Sequence, residues 1–296
     1  MEAWNRKHTD GRKPILILIA ILVFALFFLN FNYFSGDYIQ QRERYTKWAS
    51  CFNEATGTLD DNQFWDQLGT AADNCQPLLE MNSPRLQGFQ NNDEIKYHLL
   101  PIDTSKDSVI ISLGIGGDVE AEKKLKPKLT ENSVFIGTDP DISFHKIYSQ
   151  VGTYLPVSVG HESGNVTVDH LAVNGQYVSG QTFMLTLSEL VKEYLPKTTK
   201  IVDDVWVDIE YSEYKIFDFF TAASDIHKDG YAICQWNVEV HNPNPEQKKI
   251  FHEFMKQTVS EGRYAFLKLT AYWGHWRMIF LDYSDRRCAE KYLLGN

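Results

Sequence analysis

The chain has 296 residues, 43% apolar and 23% charged, with 18 glycines and no low-complexity tract. That composition suits one globular domain of about 200 residues plus additional segments. A net charge of −10 excludes nucleic-acid partners, which are held by basic surfaces.

Residues 1–14 carry Arg6, Lys7, Arg12 and Lys13 and precede an unbroken apolar run from Ile15 to Leu29. Phe31, Tyr33 and Phe34 extend the run to about the length that crosses a bilayer as a helix. The positive-inside bias puts 1–14 in the cytosol, although Arg42, Arg44 and Lys47 on the far side reduce the asymmetry. The bulky segment from Asn30 to Phe34 lacks the small residues of a cleavage site, so 15–34 is expected to be an uncleaved signal anchor. The membrane is then a partner through 15–34, and the chain is a single-pass type II protein of the Golgi or endoplasmic reticulum with a lumenal domain. The sequon Asn165-Val-Thr167 agrees, as do four cysteines that all follow the anchor. Pairing of Cys51 with Cys75 would close a loop and stabilise by roughly 3 kcal/mol, while four separate buried thiols fit the sequence equally well. Cys234 lies in a strand-like run and reads as a core thiol.

Residues 35–100 are polar and aromatic, with Trp48, Phe64 and Trp65 at helix-face spacing, and read as a stem and small helical cap. In 101–296 apolar runs alternate with helical patterns. Strands are expected at 108–113, 133–138, 154–159, 201–209 and 231–240, with helices at 118–129, 141–150, 186–195, 211–224 and 245–261. Two further strands, 263–270 and 276–283, are separated by only five residues and must be antiparallel. The fold class is α/β, a Rossmann-like seven-stranded sheet closed by a C-terminal antiparallel hairpin. Val166 to Val178 contains the turn dipeptide Asn174-Gly175 and reads as a small surface insertion.

The first strand of the domain ends in Gly114-Ile-Gly-Gly-Asp118, where Gly114, Gly116 and Gly117 let backbone approach a ligand. Asp139 ends the second strand, 25 positions after Gly114, where a carboxylate can accept bonds from both hydroxyls of a ribose. Neither a dinucleotide fingerprint nor a P-loop is present. Asp118 and Glu120 at the helix start would repel phosphate but suit a cationic group. The simpler alternative is a strand-to-helix turn with Asp139 as a cap. On the fourth strand Asp208 and Glu210 share a face, where two close carboxylates raise one pKa and supply a general base.

Leu113-Gly-Ile-Gly116, Gly137-Thr-Asp-Pro140, Thr186-Leu-Ser-Glu-Leu190, Val207-Asp-Ile-Glu-Tyr-Ser-Glu213 and Glu239-Val-His241 together resemble the FkbM family of methyltransferases, in a divergent, membrane-anchored form. The resemblance covers about 100–285 and implies the seven-stranded methyltransferase sheet with S-adenosylmethionine as cofactor. It implies cofactor contacts from Gly114, Gly116, Gly117, Asp118 and Asp139. It also implies catalytic roles for Asp208, near the methyl end, and for Glu210 or His241 as proton acceptor. The acceptor is expected to be a hydroxyl on a glycan or small molecule. The transfer needs no metal, although Asp208, Glu210 and His241 have the side chains to hold one.

Ser112 stands where many members have an acidic residue, and Tyr211 where a glycine is expected. Those departures suit a catalytically inactive binding module as another reading. A structural network of Glu210 and Glu213 with Lys215 or Arg277 is the alternative for the fourth-strand cluster, and Trp236, Trp273 and Trp276 read as core or wall. A Golgi-type glycosyltransferase is the competing enzyme class, with Asp139-Pro140-Asp141 holding a metal on a nucleotide sugar.

Overall fold

A computed structural model describes residues 36–81, 83–92, 94–172 and 176–294. The expected anchor at 15–34 lies outside the described residues, and among these no helix is long and apolar enough to cross a membrane. The elements begin with α1 (36–56), α2 (Asp61–Cys75), β1 (Leu86–Gln90), β2 (Ile95–Leu99), β3 (Val109–Leu113), α3 (Glu120–Leu125), β4 (Val134–Thr138), α4 (His145–Tyr148) and β5 (Thr153–Leu155). Then follow β6 (Ser158–Val159), β7 (Gly164–Leu171), β8 (Tyr177–Leu185), α5 (Leu187–Tyr194), β9 (Ile201–Val207) and α6 (Asp225–Lys228). The last are β10 (Ala232–Val240), α7 (Pro245–Ser260), β11 (Tyr264–Tyr272), β12 (His275–Asp282) and α8 (Arg286–Tyr292).

Seven strands form one sheet in the order β11-β12-β10-β9-β3-β4-β5. The five from β10 to β5 are parallel, and β12 runs antiparallel between β10 and β11. Every residue of β3 and β10 is buried, as expected for strands covered on both faces. From β3 the chain moves outward to β4 and β5, then returns to β9 on the other side. This reversal opens a crevice at the carboxyl ends of β3 and β9, where ligands of open α/β sheets bind.

The helix expected at 211–224 is replaced by two 3₁₀ turns, Ser212–Lys215 and Phe217–Phe220, entered through left-handed residues Glu210 (φ 51°) and Tyr211 (φ 70°). A left-handed pair cannot begin an α-helix. The strand expected at 154–159 divides into β5 in the main sheet and β6, which joins a separate sheet in the order β6-β8-β7. Both cysteine pairs are bridged, Cys51 to Cys75 and Cys234 to Cys288, so the reading of Cys234 as a core thiol is corrected. A half-cystine packs in an apolar core much as a thiol does, and strand burial does not separate the two states.

The segment 35–100 is more than a stem and cap. In α1, Trp48 and Phe52 lie edge-on to Phe266 of β11 at 5.3 and 5.4 Å, and Phe64 and Trp65 of α2 pack on Phe251 of α7. β1 and β2 pair antiparallel as a hairpin, fastened to the sheet by side chains of β9 and β10. Asn237 accepts from the Tyr97 amide at 3.1 Å, and Gln235 both accepts from and donates to the Leu99 backbone. Buried His98 meets Asp204 at 2.7 Å, with Trp206 Nε1 donating to the same carboxylate. These buried hydrogen bonds set the hairpin in one position above the crevice, with His98 Nε2 left without a partner among the described residues.

Candidate functional site

The crevice is a cavity of about 210 Å³, lined by Gly114 to Gly116 of the loop after β3, Asp139 after β4, and Asp208 and Glu210 after β9. Gly114 (φ 80°) donates its N–H to the Thr138 carbonyl at 2.9 Å, and a Cβ there would sit 1.7 Å from the Asp208 carbonyl oxygen. The β3 and β9 ends can therefore meet only over a glycine. Gly116 (φ 58°) has open space where a Cβ would be, and Gly117 (φ 84°) lies against Phe144.

Asp139 is 6% exposed and serves the loop first. Its Oδ2 accepts from the amides of Ile115 and Gly116 at 3.0 and 3.2 Å, and its Oδ1 from Asp141 at 2.9 Å. A carboxylate has about four lone-pair positions, so room remains for one ligand hydroxyl rather than a bridge to two. Burial pushes its pKa up, against these amide bonds. Asp118, ahead of the N-cap residue Val119, accepts the Glu120 amide at 2.9 Å and the Asn92 amide at 2.8 Å, standing at the cavity rim. Glu120 is exposed and paired with Lys123.

The carboxylate that enters the cavity from α3 is instead Glu122, which the sequence reading did not single out. It is buried, Ser112 Oγ donates to its Oε1 at 2.8 Å, and its Oε2 has no hydrogen-bond partner. Burial raises its pKa, opposed by Lys96 and Ser112. The acidic charge absent at position 112 is thus delivered from the adjacent helix. A signal was present in the sequence: Glu122 shares the inward face of α3 with Ala121 and Leu125.

At the other end, His241 after β10 gathers three carboxylates. Its Nδ1 lies 3.1 Å from Glu213 Oε1, and its Nε2 lies 3.4 Å from Glu210 and 3.8 Å from Asp208. Glu213 also accepts the His241 amide at 2.9 Å, and the Tyr214 hydroxyl donates to the His241 carbonyl. Burial disfavours charge on His241, yet hydrogen bonds to Glu210 and Glu213 push its pKa up to about 11. The bond to His241 holds Glu210 below the usual carboxylate range. Burial drives Asp208 up to about 7, with Lys96 opposing and Glu94 and Glu239 adding to the rise; its side chain is 33% exposed, so solvent tempers the effect. In its ion-paired form His241 has no free lone pair, which does not match its expected role as proton acceptor.

Thus Asp208 and Glu210 line one end of the crevice with His241 behind them, and Gly114 and Gly116 with Asp118 and Asp139 line the other, while Gly117, set against Phe144, is not part of the cavity wall. Arg277 pairs with Glu239 at 2.7 Å and approaches Glu94, while Glu213 turns to His241, so among the described residues the alternative network of Glu210 and Glu213 with Lys215 or Arg277 is not seen. Tyr211 keeps the left-handed backbone of the glycine it replaces and sets its ring against His241, centroids 4.9 Å apart. Trp236 is core, and Trp276 packs by Trp65. Trp273 is 86% exposed at the hairpin tip and belongs to neither core nor wall. The β7–β8 insertion also reaches the site, with Val168, His170 and Met184 in the cavity wall.

The methyltransferase FkbM domain matches residues 88–287. This chain belongs to the FkbM methyltransferase family. The match begins inside β1, so most of the hairpin is included. A comparison with curated proteins finds no match. Among solved structures, the METTL16 MTase domain is similar with a TM-score of 0.37 and 10% identity, over 62% of this chain and 63% of that one. The chain therefore spans less than two thirds of that domain. A putative rRNA-methylase from Clostridium thermocellum gives 0.37 and 11%, over 61% and 89%. An O-methyltransferase from Bacillus cereus in complex with SAH gives 0.35 and 7%, over 82% and 90%. Likeness this distant assigns no residue role. The glycosyltransferase reading falls with the family match, and Asp139 and Asp141 both spend carboxylate oxygens on backbone amides.

Proposed function

We propose that this FkbM-family protein transfers a methyl group from S-adenosylmethionine to a hydroxyl of a glycan or small molecule in the secretory pathway. The observation that carries this reading is the cavity itself. Backbone without side chains forms one wall, at Gly114 and Gly116, and the carboxylates of Glu122, Asp208 and Glu210 form the other. Anionic walls with an unpartnered buried oxygen at Glu122 suit a cationic, phosphate-free nucleoside.

Bound there, the cofactor supplies an electrophilic methyl group on a sulfonium. Gly116 admits it against the backbone, Gly114 lets the β3 and β9 ends meet beneath it, Asp139 holds the loop and offers its remaining lone pair, and Glu122 and Asp208 offset the positive charge. Glu210 and Asp208 orient the acceptor hydroxyl and draw away its proton. Positioning of this kind accounts for about 7–11 kcal/mol of barrier lowering in favourable cases. A second cavity of about 310 Å³ adjoins at Glu94 and Lys96 under the β1–β2 hairpin. Its lining of Tyr97, Asn237, Thr270 and Tyr272 suits a hydroxyl-rich acceptor.

Two disulfides support an oxidising compartment, and Asn165 lies exposed on β7, where a glycan can be attached. Together with the apolar run at 15–34, they favour a membrane-anchored lumenal enzyme.

A thermal-shift titration with S-adenosylhomocysteine tests the reading, since a ligand at 100 times its Kd adds about 2.7 kcal/mol. Stabilisation by that ligand is expected, with none from UDP-sugars with manganese. Silence from S-adenosylhomocysteine would favour an inactive module. Asp139→Asn is expected to weaken the same ligand at least about tenfold, because an amide has one accepting oxygen and must turn its nitrogen either to the loop amides or to the Asp141 amide. Calorimetry with an unchanged Kd would remove Asp139 from the site.

A further inference from the structure

We infer that Asp208, Glu210 and His241 form a binding site for one divalent transition cation, at the end of the crevice where the acceptor hydroxyl is placed. The inference deepens the proposed function at the same site, and its test does not depend on that reading.

The donor atoms are the first reason. One imidazole nitrogen and two carboxylate oxygens lie within 4.8 Å of one another, with His241 Nε2 at 3.4 Å from Glu210 and 3.8 Å from Asp208. A cation about 2.0–2.2 Å from each donor separates its ligands by roughly 3–4 Å, so side-chain adjustment of a few tenths of an ångström suffices. The donors also come from two rigid sources. Asp208 and Glu210 follow β9 directly, with Glu210 set by its left-handed backbone, and His241 follows β10.

The second reason is the support behind His241. Buried Glu213 holds Nδ1 at 3.1 Å and the backbone amide of the same residue at 2.9 Å. That pairing places the proton on Nδ1 and turns Nε2 toward Asp208 and Glu210, the carboxylate–histidine arrangement that orients metal-ligating imidazoles. A cation at Nε2 takes the place of the proton there, and binding releases that proton to solvent.

The third is charge. Glu94 and Glu239 are paired with Lys96 and Arg277. Among the described residues, Glu210 and Glu213 form ion pairs only with His241. Three carboxylates around one imidazole leave an excess of negative charge that a divalent ion offsets. An overlapping group of Glu239, His241 and His275 is less suited, because Arg277 Nε already occupies Glu239 at 2.7 Å. Mixed nitrogen and oxygen donors favour manganese, iron or zinc over calcium or magnesium. With Asp208 and Glu210 serving as ligands in the ion-bound state, an acceptor hydroxyl coordinated to such an ion loses its proton more readily, and to water in place of those carboxylates. The oxygen lone pair then forms the new bond to the methyl carbon, and the carbon–sulfur pair stays on sulfur.

The test uses the full chain, freed of metal by chelation and titrated with Mn²⁺ while free ion is followed by electron paramagnetic resonance. One ion per chain is expected, with nitrogen modulation in the spin echo from an imidazole ligand. Glu210→Gln and His241→Gln should each weaken binding at least about tenfold, and His241→Gln should erase the modulation. His275→Gln should leave both unchanged. Glu210→Gln replaces a partly exposed side chain, so it decides the matter if His241→Gln does not fold. Absence of bound Mn²⁺, binding without nitrogen modulation, or binding indifferent to Glu210→Gln would each overturn the inference. S-adenosylhomocysteine affinity, measured on the same metal-free protein, separates failure of this site from failure of the methyltransferase reading.

Discussion

Gly114→Ala is expected to abolish binding of adenosyl ligands and to destabilise the domain by at least about 3 kcal/mol. Two costs combine. An alanine at φ 80° loses about 1–2 kcal/mol to left-handed strain. Its Cβ would also lie 1.7 Å from the Asp208 carbonyl oxygen, with the Asp208 carbonyl carbon at 2.8 Å. Backbone cannot rotate away as a side chain can. The ends of β3 and β9 must therefore separate, breaking the bond from the Asp208 amide to the Leu113 carbonyl at 3.0 Å. Because Asp208 moves with that strand, the cofactor wall and the carboxylate cluster are lost together. Urea denaturation and calorimetry with S-adenosylhomocysteine measure the two effects. Gly116→Ala is the internal control: its Cβ enters open space, so backbone strain should act on stability without the clash. Equal effects on stability from the two substitutions would show that the contact with Asp208 does not govern this turn; binding is not compared, because Gly116 itself lines the cavity.

Trp48→Ala is expected to cost about 3–5 kcal/mol, the range for deleting a large aromatic from a core. The side chain is fully buried, stacked on Phe52 at 5.5 Å and edge-on to Phe266 at 5.3 Å. Phe266 belongs to β11 at the sheet edge, so the lost contacts are those that join the N-terminal helix to the methyltransferase sheet. Denaturation should remain a single transition with a lowered midpoint, because α1 shares the core of the domain. A stem would behave otherwise, and a cost below about 1 kcal/mol would return α1 to that status.

The central strands were legible because burial on both faces writes a continuous apolar run, as at Val109–Leu113, and because five residues between two strands leave only an antiparallel solution. The hairpin proved longer and its turn tighter, with only Trp273 and Gly274 between β11 and β12. The β1–β2 hairpin was not legible. Its polar alternation, Ile95-Lys-Tyr-His-Leu99, is that of a surface segment, yet Lys96 and His98 are buried. Lys96 pairs with Glu94 just before β2, but the partner of His98 is Asp204 of β9, 106 positions away, and local sequence cannot supply that partner.

The sequence by itself determined the α/β class, the family, the glycine loop and the identity of the carboxylates and histidine at the strand ends. Each of these is written in short-range pattern: periodicity, turn chemistry and residue type within a few positions. Tertiary structure alone decided how they are used. It made Asp139 a clamp on the loop, carried Glu122 to the place of a missing acid beside Ser112, paired Cys234 with Cys288, and turned His241 away from the solvent into three carboxylates. The physical reason is common to all four. Hydrogen bonds, disulfides and charge coupling depend on distances between residues 10 to 54 positions apart in the chain, and those distances exist only once the sheet has closed.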